Sequence, residues 1–146
     1  MKRVLVILLV AMLVLPVIPI AAQDDAVVSR LEEYNENLPQ GYGVISVEDL
    51  LVKMAEEDVF LLDVRQPEEY EAGHIPDSVS VPLRTLGENL DVLPSFDAQI
   101  IVICQGGFRA MIGMTSLHVL GYENAFDLKG GYGAWVAEEL DVTTEA

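Results

Sequence analysis

The residues best suited to chemistry form one short run between an apolar stretch and a helical pattern: Cys104, Gln105, Gly106, Gly107, Phe108 and Arg109. Cys104 is the only cysteine among 146 residues, so it is a buried apolar side chain, an intermolecular link or a reactive thiol. The paired glycines let successive N–H groups turn inward as an anion nest, and the helix start and Arg109 add positive potential. This environment favours the thiolate, so we predict a catalytic cysteine.

Other polar residues are predicted to have supporting roles. Asp63 and Arg65 directly follow the apolar run 59–62 and could reach the loop after Cys104, with Asp63 accepting backbone or guanidinium hydrogen bonds. We expect both to be structural, because ion pairs at strand ends are common. His74 is a conceivable base, but it has no evident partner, and His118 is expected to be a packing or surface residue. No metal site and no other cofactor is predicted.

The elements that position these residues follow an alternating pattern. From Val44 onward, short β-branched runs alternate with amphipathic stretches, which predicts an α/β fold. We expect a central, mainly parallel five-stranded sheet flanked by helices on both faces. Strands are predicted at 44–45, 59–62, 79–81, 99–103 and 125–128, and helices at 47–54, 67–73, 83–93, 108–120 and 130–140. Ligands of parallel sheets bind beyond the carboxyl ends of strands, so we expect Cys104 to lie at such an opening.

The first 22 residues have the layout of a secretory signal. Lys2 and Arg3 precede an apolar run over 4–22, which is also long enough for an uncleaved membrane anchor. Pro16 and Pro19 favour cleavage after Ala22, so we predict an exported protein that is periplasmic, extracellular or anchored facing outward. The predicted organisation is a signal peptide at 1–22, a linker or short leading helix at 23–40, one domain at 41–140 and a frayed tail at 141–146.

The charge of the chain limits its partners. The formal net charge is −16, and loss of residues 1–22 would remove two of the eight basic residues and none of the 24 acidic ones, leaving −18. Such a field repels nucleic acids and anionic lipid surfaces. We therefore expect no nucleic-acid partner, and a membrane partner only if the N-terminal segment is retained.

The loop and two other stretches resemble the rhodanese family, whose active loop reads Cys, two residues, Gly, one residue, Arg. Residues 104–109 match this motif position by position, and LLDVRQPEEYEAGHIPDSVSVPL at 61–83 and LKGGYGAW at 128–135 are also similar to family motifs. The order of the three motifs is the same. The resemblance implies a rhodanese-like domain at 41–140.

The resemblance also implies a double-displacement sulfurtransferase of the thiosulfate:cyanide type. Cys104 would take sulfane sulfur from a thiosulfate-like or persulfide donor and pass it to a thiol or cyanide acceptor. The backbone amides from Gln105 to Arg109 would hold the persulfide anion, and the Arg109 guanidinium would bind the donor or brace the loop. Because the domain is so acidic, we expect a donor less anionic than thiosulfate, or one carried by a protein.

Two alternatives remain at the level of the sequence. The first is phosphatase or arsenate-reductase chemistry on the same fold. The phosphatases have an active loop one residue longer, and the four residues between Cys104 and Arg109 match the shorter ring. A sulfur carrier or protein-binding module without rapid turnover would retain the same loop. The chain departs from the family where Asp77 and Ser78 replace the usual Gly-Ala, a turn outside the predicted site.

Overall fold

A computed structural model describes residues 25–38 and 40–144 of the chain. The signal peptide predicted at 1–22 lies outside these residues. Within them, no helix combines the length and apolar character needed to cross a membrane.

The centre of the domain is a five-stranded sheet in which every neighbouring pair of strands is parallel. Its strands run in the spatial order β1-β5-β4-β2-β3. Their bounds are Val44–Ile45 for β1, Val59–Asp63 for β2, Val79–Ser80 for β3, Gln99–Ile103 for β4 and Ala125–Leu128 for β5. The predicted sheet is therefore confirmed, and β4, which leads to Cys104, is its central strand.

Helices cover both faces of this sheet. Their bounds are Asp25–Glu36 for α1, Val47–Glu56 for α2, Pro67–Glu71 for α3, Phe108–Leu120 for α4 and Gly131–Ala137 for α5. The helix predicted at 83–93 is wrong, because this stretch forms two 3₁₀ helices, Leu83–Glu88 and Leu90–Val92. Asn89 breaks the helix between them: its backbone is non-helical, and its side chain donates to the Thr85 carbonyl.

Two apolar clusters, one on each side of the sheet, form the core. Successive side chains of a strand point to opposite faces, so Val102 packs towards α4 and Ile103 packs towards Trp135 of α5. This double burial explains the unbroken apolar sequence of β4. Cys104 continues the row that faces α4. Gly113 lets α4 approach closely, since a Cβ there would lie 3.1 Å from Val102 Cγ1.

The C-terminal tail is held in place through Thr143. Thr143 and His74 form an antiparallel bridge with two backbone hydrogen bonds of 2.9 and 3.0 Å. Trp135 Nε1 also donates to the Asp141 carbonyl at 2.8 Å. The expected fraying of 141–146 is therefore wrong for Asp141 and Thr143, because a buried histidine and a buried tryptophan supply partners for their backbone groups.

Candidate active site

The thiol of Cys104 lies inside the loop that joins β4 to α4. Cys104 Sγ accepts a hydrogen bond from the Gly107 N–H at 3.0 Å. Gly107 begins α4 with φ of 102°, a backbone conformation that suits glycine. The Gly107 N–H therefore points towards the thiol, as predicted, and the dipole of α4 adds positive potential at the sulfur.

Cys104 is more enclosed than the sequence leads one to expect. Only 1% of the residue is exposed, and it packs within the apolar cluster beneath α4, whereas Gln105 and Gly106 are exposed. A cavity of about 390 Å³ lies between α1 and the far end of α4, and no residue of the 104–109 loop lines it. Since the thiol is enclosed and the two following residues are exposed, a donor has to reach the sulfur past Gln105 and Gly106.

The start of α5 holds the first two peptide groups of the loop. The Tyr132 N–H donates to the Cys104 carbonyl at 2.8 Å, and the Gly133 N–H donates to the Gln105 carbonyl at 3.1 Å. Gly131 must be glycine, because φ is 56° and a Cβ would lie 2.0 Å from the Cys104 carbonyl oxygen. Since the C=O and N–H of a trans peptide point in opposite directions, the next N–H groups face away from α5.

Arg109 is oriented by a carboxylate that the sequence analysis did not single out. Its Nη1 and Nη2 donate to the two carboxylate oxygens of Glu69 at 2.6 and 2.7 Å, a bidentate pair. The hydrogen bond from Arg109 lowers the pKa of Glu69 to about 2, and Glu69 raises the pKa of Arg109. The only sequence signal for Glu69 was its place in the PEEY stretch. Glu69 therefore holds the Arg109 guanidinium in place, while the two predicted roles of Arg109, to bind the donor or to brace the loop, stay predictions.

Asp63 and Arg65 form a fully buried ion pair of 2.7 Å. Arg65 also donates to the Gly73 carbonyl at 2.8 Å, and its guanidinium lies 4.1 Å from the centre of the Tyr132 ring. Tyr132 in turn binds the Cys104 carbonyl through its N–H. The pair thus supports the loop through Tyr132, and no contact between either side chain and the loop itself is found among the described residues.

The two histidines have structural contacts. His74 stacks on Tyr70 with ring centres 3.6 Å apart and is hydrogen-bonded through Nδ1 to the Tyr70 carbonyl. His118 is hydrogen-bonded to the Ala125 carbonyl and stacks on Tyr34, and burial lowers the pKa of His118. Among the described residues, no hydrogen bond joins either histidine to the 104–109 loop. In the described part of the chain, no cluster of His, Cys, Asp and Glu is suited to a metal ion.

Asp127 is a second carboxylate near the loop, besides Glu69, that was not predicted from the sequence. It is 3% exposed, and its Oδ2 lies 3.6 Å from the position that a Cβ on Gly107 would occupy. Its Oδ1 has no hydrogen-bond partner within the described structure. Burial without a counter-charge raises the pKa of Asp127 to about 6. The available signal was an acidic residue inside the otherwise apolar strand AFDL.

Comparison with known proteins agrees with this geometry. The family model described as Rhodanese-like domain matches residues 46–138, so the chain belongs to the rhodanese-like family. A thiosulfate sulfurtransferase GlpE of Pseudoalteromonas translucida is 32% identical over 93 residues, covering 64% of this chain and 88% of the relative. A sulfurtransferase of Allochromatium vinosum is 31% identical over 99 residues, covering 67% of this chain and 92% of the relative.

Solved structures have the same fold. A rhodanese-related protein from Thermoplasma volcanium has a TM-score of 0.63 and 32% identity, covering 70% of this chain and 98% of that structure. The human single-domain sulfurtransferase TSTD1 has a TM-score of 0.63 and 26% identity, covering 67% and 98%. Together with the family, these relatives support sulfurtransferase activity in general.

Proposed function

We propose that the protein is a rhodanese-type sulfurtransferase that carries sulfane sulfur as a persulfide on Cys104. The thiolate attacks the outer sulfur of the donor and forms a new S–S bond, while the donor's S–S bond breaks and its electron pair leaves with sulfite or a thiolate. An acceptor thiolate or cyanide then attacks the outer sulfur. The S–S bond to Cys104 breaks, and its electron pair returns to the Cys104 thiolate.

One observation carries this proposal: Cys104 Sγ accepts the Gly107 N–H at 3.0 Å within a six-residue loop at the end of the central strand. A persulfide anion needs such a donor, because it carries negative charge in a site with little water. Arg109 adds a fixed positive charge, and Glu69 holds its guanidinium in place.

The test is mass spectrometry of the purified protein before and after treatment with thiosulfate or an organic persulfide. We expect a gain of one sulfur atom on the peptide that contains Cys104, and its loss when cyanide is added, with thiocyanate formed. The Cys104→Ser variant should gain no sulfur and form no thiocyanate above background. A native circular dichroism spectrum of that variant provides the control, and undiminished transfer by it would refute the proposal.

The same samples distinguish the alternatives. A carrier without turnover would gain sulfur once and release at most one equivalent of thiocyanate in total, even with excess donor and cyanide. Phosphatase chemistry would appear as hydrolysis of p-nitrophenyl phosphate. We expect neither result, because the loop has the length of the sulfur-handling ring.

We also propose that the protein acts after export. The basic residues Lys2 and Arg3, followed by the apolar run 4–22, support this. The intact mass of protein isolated from its own cells tests the idea. A mass that corresponds to a chain starting at Gln23 is expected, and a cytosolic protein that retains residues 1–22 would contradict it.

A further inference from the structure

The surface next to the active loop is apolar. Phe108, Met111 and Ile112 are 89%, 46% and 58% exposed, and their spacing along α4 places them side by side. We call these three side chains the apolar face of α4. Phe108 immediately follows Gly107, the residue that donates to Cys104 Sγ. Adjacent large apolar side chains in contact with water mark sites of interaction.

The guanidinium groups near the thiol are already paired. Arg109 is bound by both carboxylate oxygens of Glu69, and Arg65 is buried against Asp63. An anionic donor such as thiosulfate would therefore compete with a carboxylate for Arg109. The Glu69 carboxylate therefore offsets part of the positive charge of Arg109 before any substrate arrives.

The charge around the loop is negative. Glu68 and Glu71 are exposed on α3, and Glu69 between them ties α3 to the start of α4. The exposed cations among the described residues, Arg30, Arg84 and Lys129, are outnumbered in a chain with 24 acidic and eight basic residues. This surface attracts cationic partners and repels anionic ones, most strongly at low ionic strength.

We propose that the apolar face of α4 docks a cationic protein or peptide whose acceptor cysteine is flanked by apolar side chains. The proposal rests on the function proposed above, for which it names the acceptor class. The acceptor thiolate attacks the outer sulfur of the Cys104 persulfide. The S–S bond to Cys104 breaks, the electron pair stays on Cys104, and the partner leaves as a persulfide. Docking beside the loop brings the thiol to a sulfur that is otherwise enclosed.

Three synthetic pentapeptides serve as probes. Each has a central cysteine, which is flanked by phenylalanines and terminal lysines in the first, by phenylalanines and terminal glutamates in the second, and by serines and terminal lysines in the third. Full-length protein loaded with one sulfur on Cys104 is mixed with each peptide, and loss of that sulfur is followed by mass spectrometry. The rate of each peptide with a small disulfide reagent corrects for its intrinsic thiol reactivity.

The corrected second-order rate constant is expected to be highest for the lysine–phenylalanine peptide. At low salt it should exceed that of the glutamate peptide roughly tenfold, and the ratio should shrink as salt is added. It should exceed that of the serine peptide by about three- to tenfold, as expected for a contact through one or two apolar side chains. Equal corrected rates for the three peptides would overturn the proposal.

Two variants locate the contact. Ile112→Ser should lower the rate of the lysine–phenylalanine peptide about threefold or more and leave that of the serine peptide unchanged. Val52→Ser is the matched control, since Val52 is 52% exposed on α2, the helix whose buried Leu50 packs on the opposite face of the sheet. Equal effects of both variants would overturn the proposal. Failure of Cys104 to take up sulfur at all would instead refute the function proposed above.

Other occupants of the apolar face would also overturn the proposal. A concentration-dependent dimer, detected by light scattering and abolished by Ile112→Ser, would assign this surface to a second copy of the chain. Sedimentation with phosphatidylcholine vesicles, lost in the same variant, would assign it to a membrane. We expect a monomer at micromolar concentration and no sedimentation.

Discussion

Two carboxylates lie on the strands that flank β4, and their surroundings differ sharply. Asp63 ends β2 and Asp127 lies in β5, with exposures of 0% and 3%. Asp63 accepts hydrogen bonds from the backbone N–H and Nε of Arg65 at 2.9 to 3.0 Å. Asp127 has one carboxylate oxygen without any partner in the described structure.

The difference shows that the same sheet contains one buried carboxylate with a counter-charge and one without. A buried carboxylate with a well-oriented guanidinium partner forms part of a fixed frame, here extended through Arg65 to Tyr132. A buried carboxylate without a counter-charge costs free energy whenever it ionises. Asp127 therefore opposes folding at neutral pH, and it does so directly behind Gly107 of the active loop.

Removing the charge of Asp63 is expected to have the largest effect on stability. Asp63→Asn leaves Arg65 buried without a counter-ion, so we expect the free energy of unfolding to fall by about 3–5 kcal/mol. Urea denaturation at pH 7.5 measures it. Asp127→Asn is the matched control, because it makes the same chemical change on the other side of β4. A loss below about 1 kcal/mol in Asp63→Asn would show that the buried pair is not a structural element.

Asp127→Asn is expected to raise the free energy of unfolding, whereas Asp63→Asn lowers it. The pKa of Asp127 is about 6 in the folded protein, above its ordinary value of 3.8. The folded state therefore binds more protons between these values, and stability falls as pH rises through this window. Above pH 6 the variant should be more stable than the wild type by up to about 3 kcal/mol, from about 1.4 kcal/mol per pKa unit.

Urea denaturation of both proteins at pH 4, 5, 6 and 7.5 tests this prediction. The difference between wild type and Asp127→Asn removes contributions from the other titrating groups, His118 included. The gain in stability should grow from pH 4 to pH 6 and then level off. A difference independent of pH would show that Asp127 titrates near its ordinary value.

The smallest change in stability is expected at Glu69, a partly exposed carboxylate. The pKa of Glu69 is lowered from 4.5 to about 2, so its pair with Arg109 stabilises the protein above pH 4.5 and this contribution is lost as pH falls towards 2. Because about a third of each side chain is exposed, solvent screening limits the loss in Glu69→Gln to about 1 kcal/mol or less.

The rate of sulfur uptake by Cys104 is a second measurement on the Glu69→Gln variant. Glu69→Gln frees the Arg109 guanidinium from the carboxylate that holds it in place. With an uncharged sulfur donor, which does not compete with Glu69 for Arg109, we expect the rate of sulfur uptake by Cys104 to fall by more than the small change in stability suggests. Rapid mixing with donor followed by mass spectrometry measures the rate, and Glu68→Gln on the neighbouring exposed position is the control. Equal uptake rates for Glu69→Gln and Glu68→Gln would show that the ion pair between Glu69 and Arg109 has no role in sulfur uptake.

Local patterns predicted most of the sheet and part of the site. The apolar runs of β2, β4 and β5 indicated strands because parallel strands are covered on both faces. The stretch 83–93 was predicted wrongly, since the helical spacing of its apolar residues concealed the break at Asn89. Asp127 was missed because an acidic residue in a short strand has no recognisable consequence until its neighbours are known.

What the sequence determined by itself was the position of a lone cysteine after the most apolar strand, together with the glycines that let the loop close around it. These are short-range features, set by strand periodicity and by the backbone freedom of residues next to one another. Tertiary structure alone decided that Arg109 meets Glu69, 40 positions away, and that Asp127 has no counter-charge. An ionic interaction depends on the distance between two side chains in the folded chain. That distance is set by which strands and helices become neighbours, and no local sequence pattern encodes it.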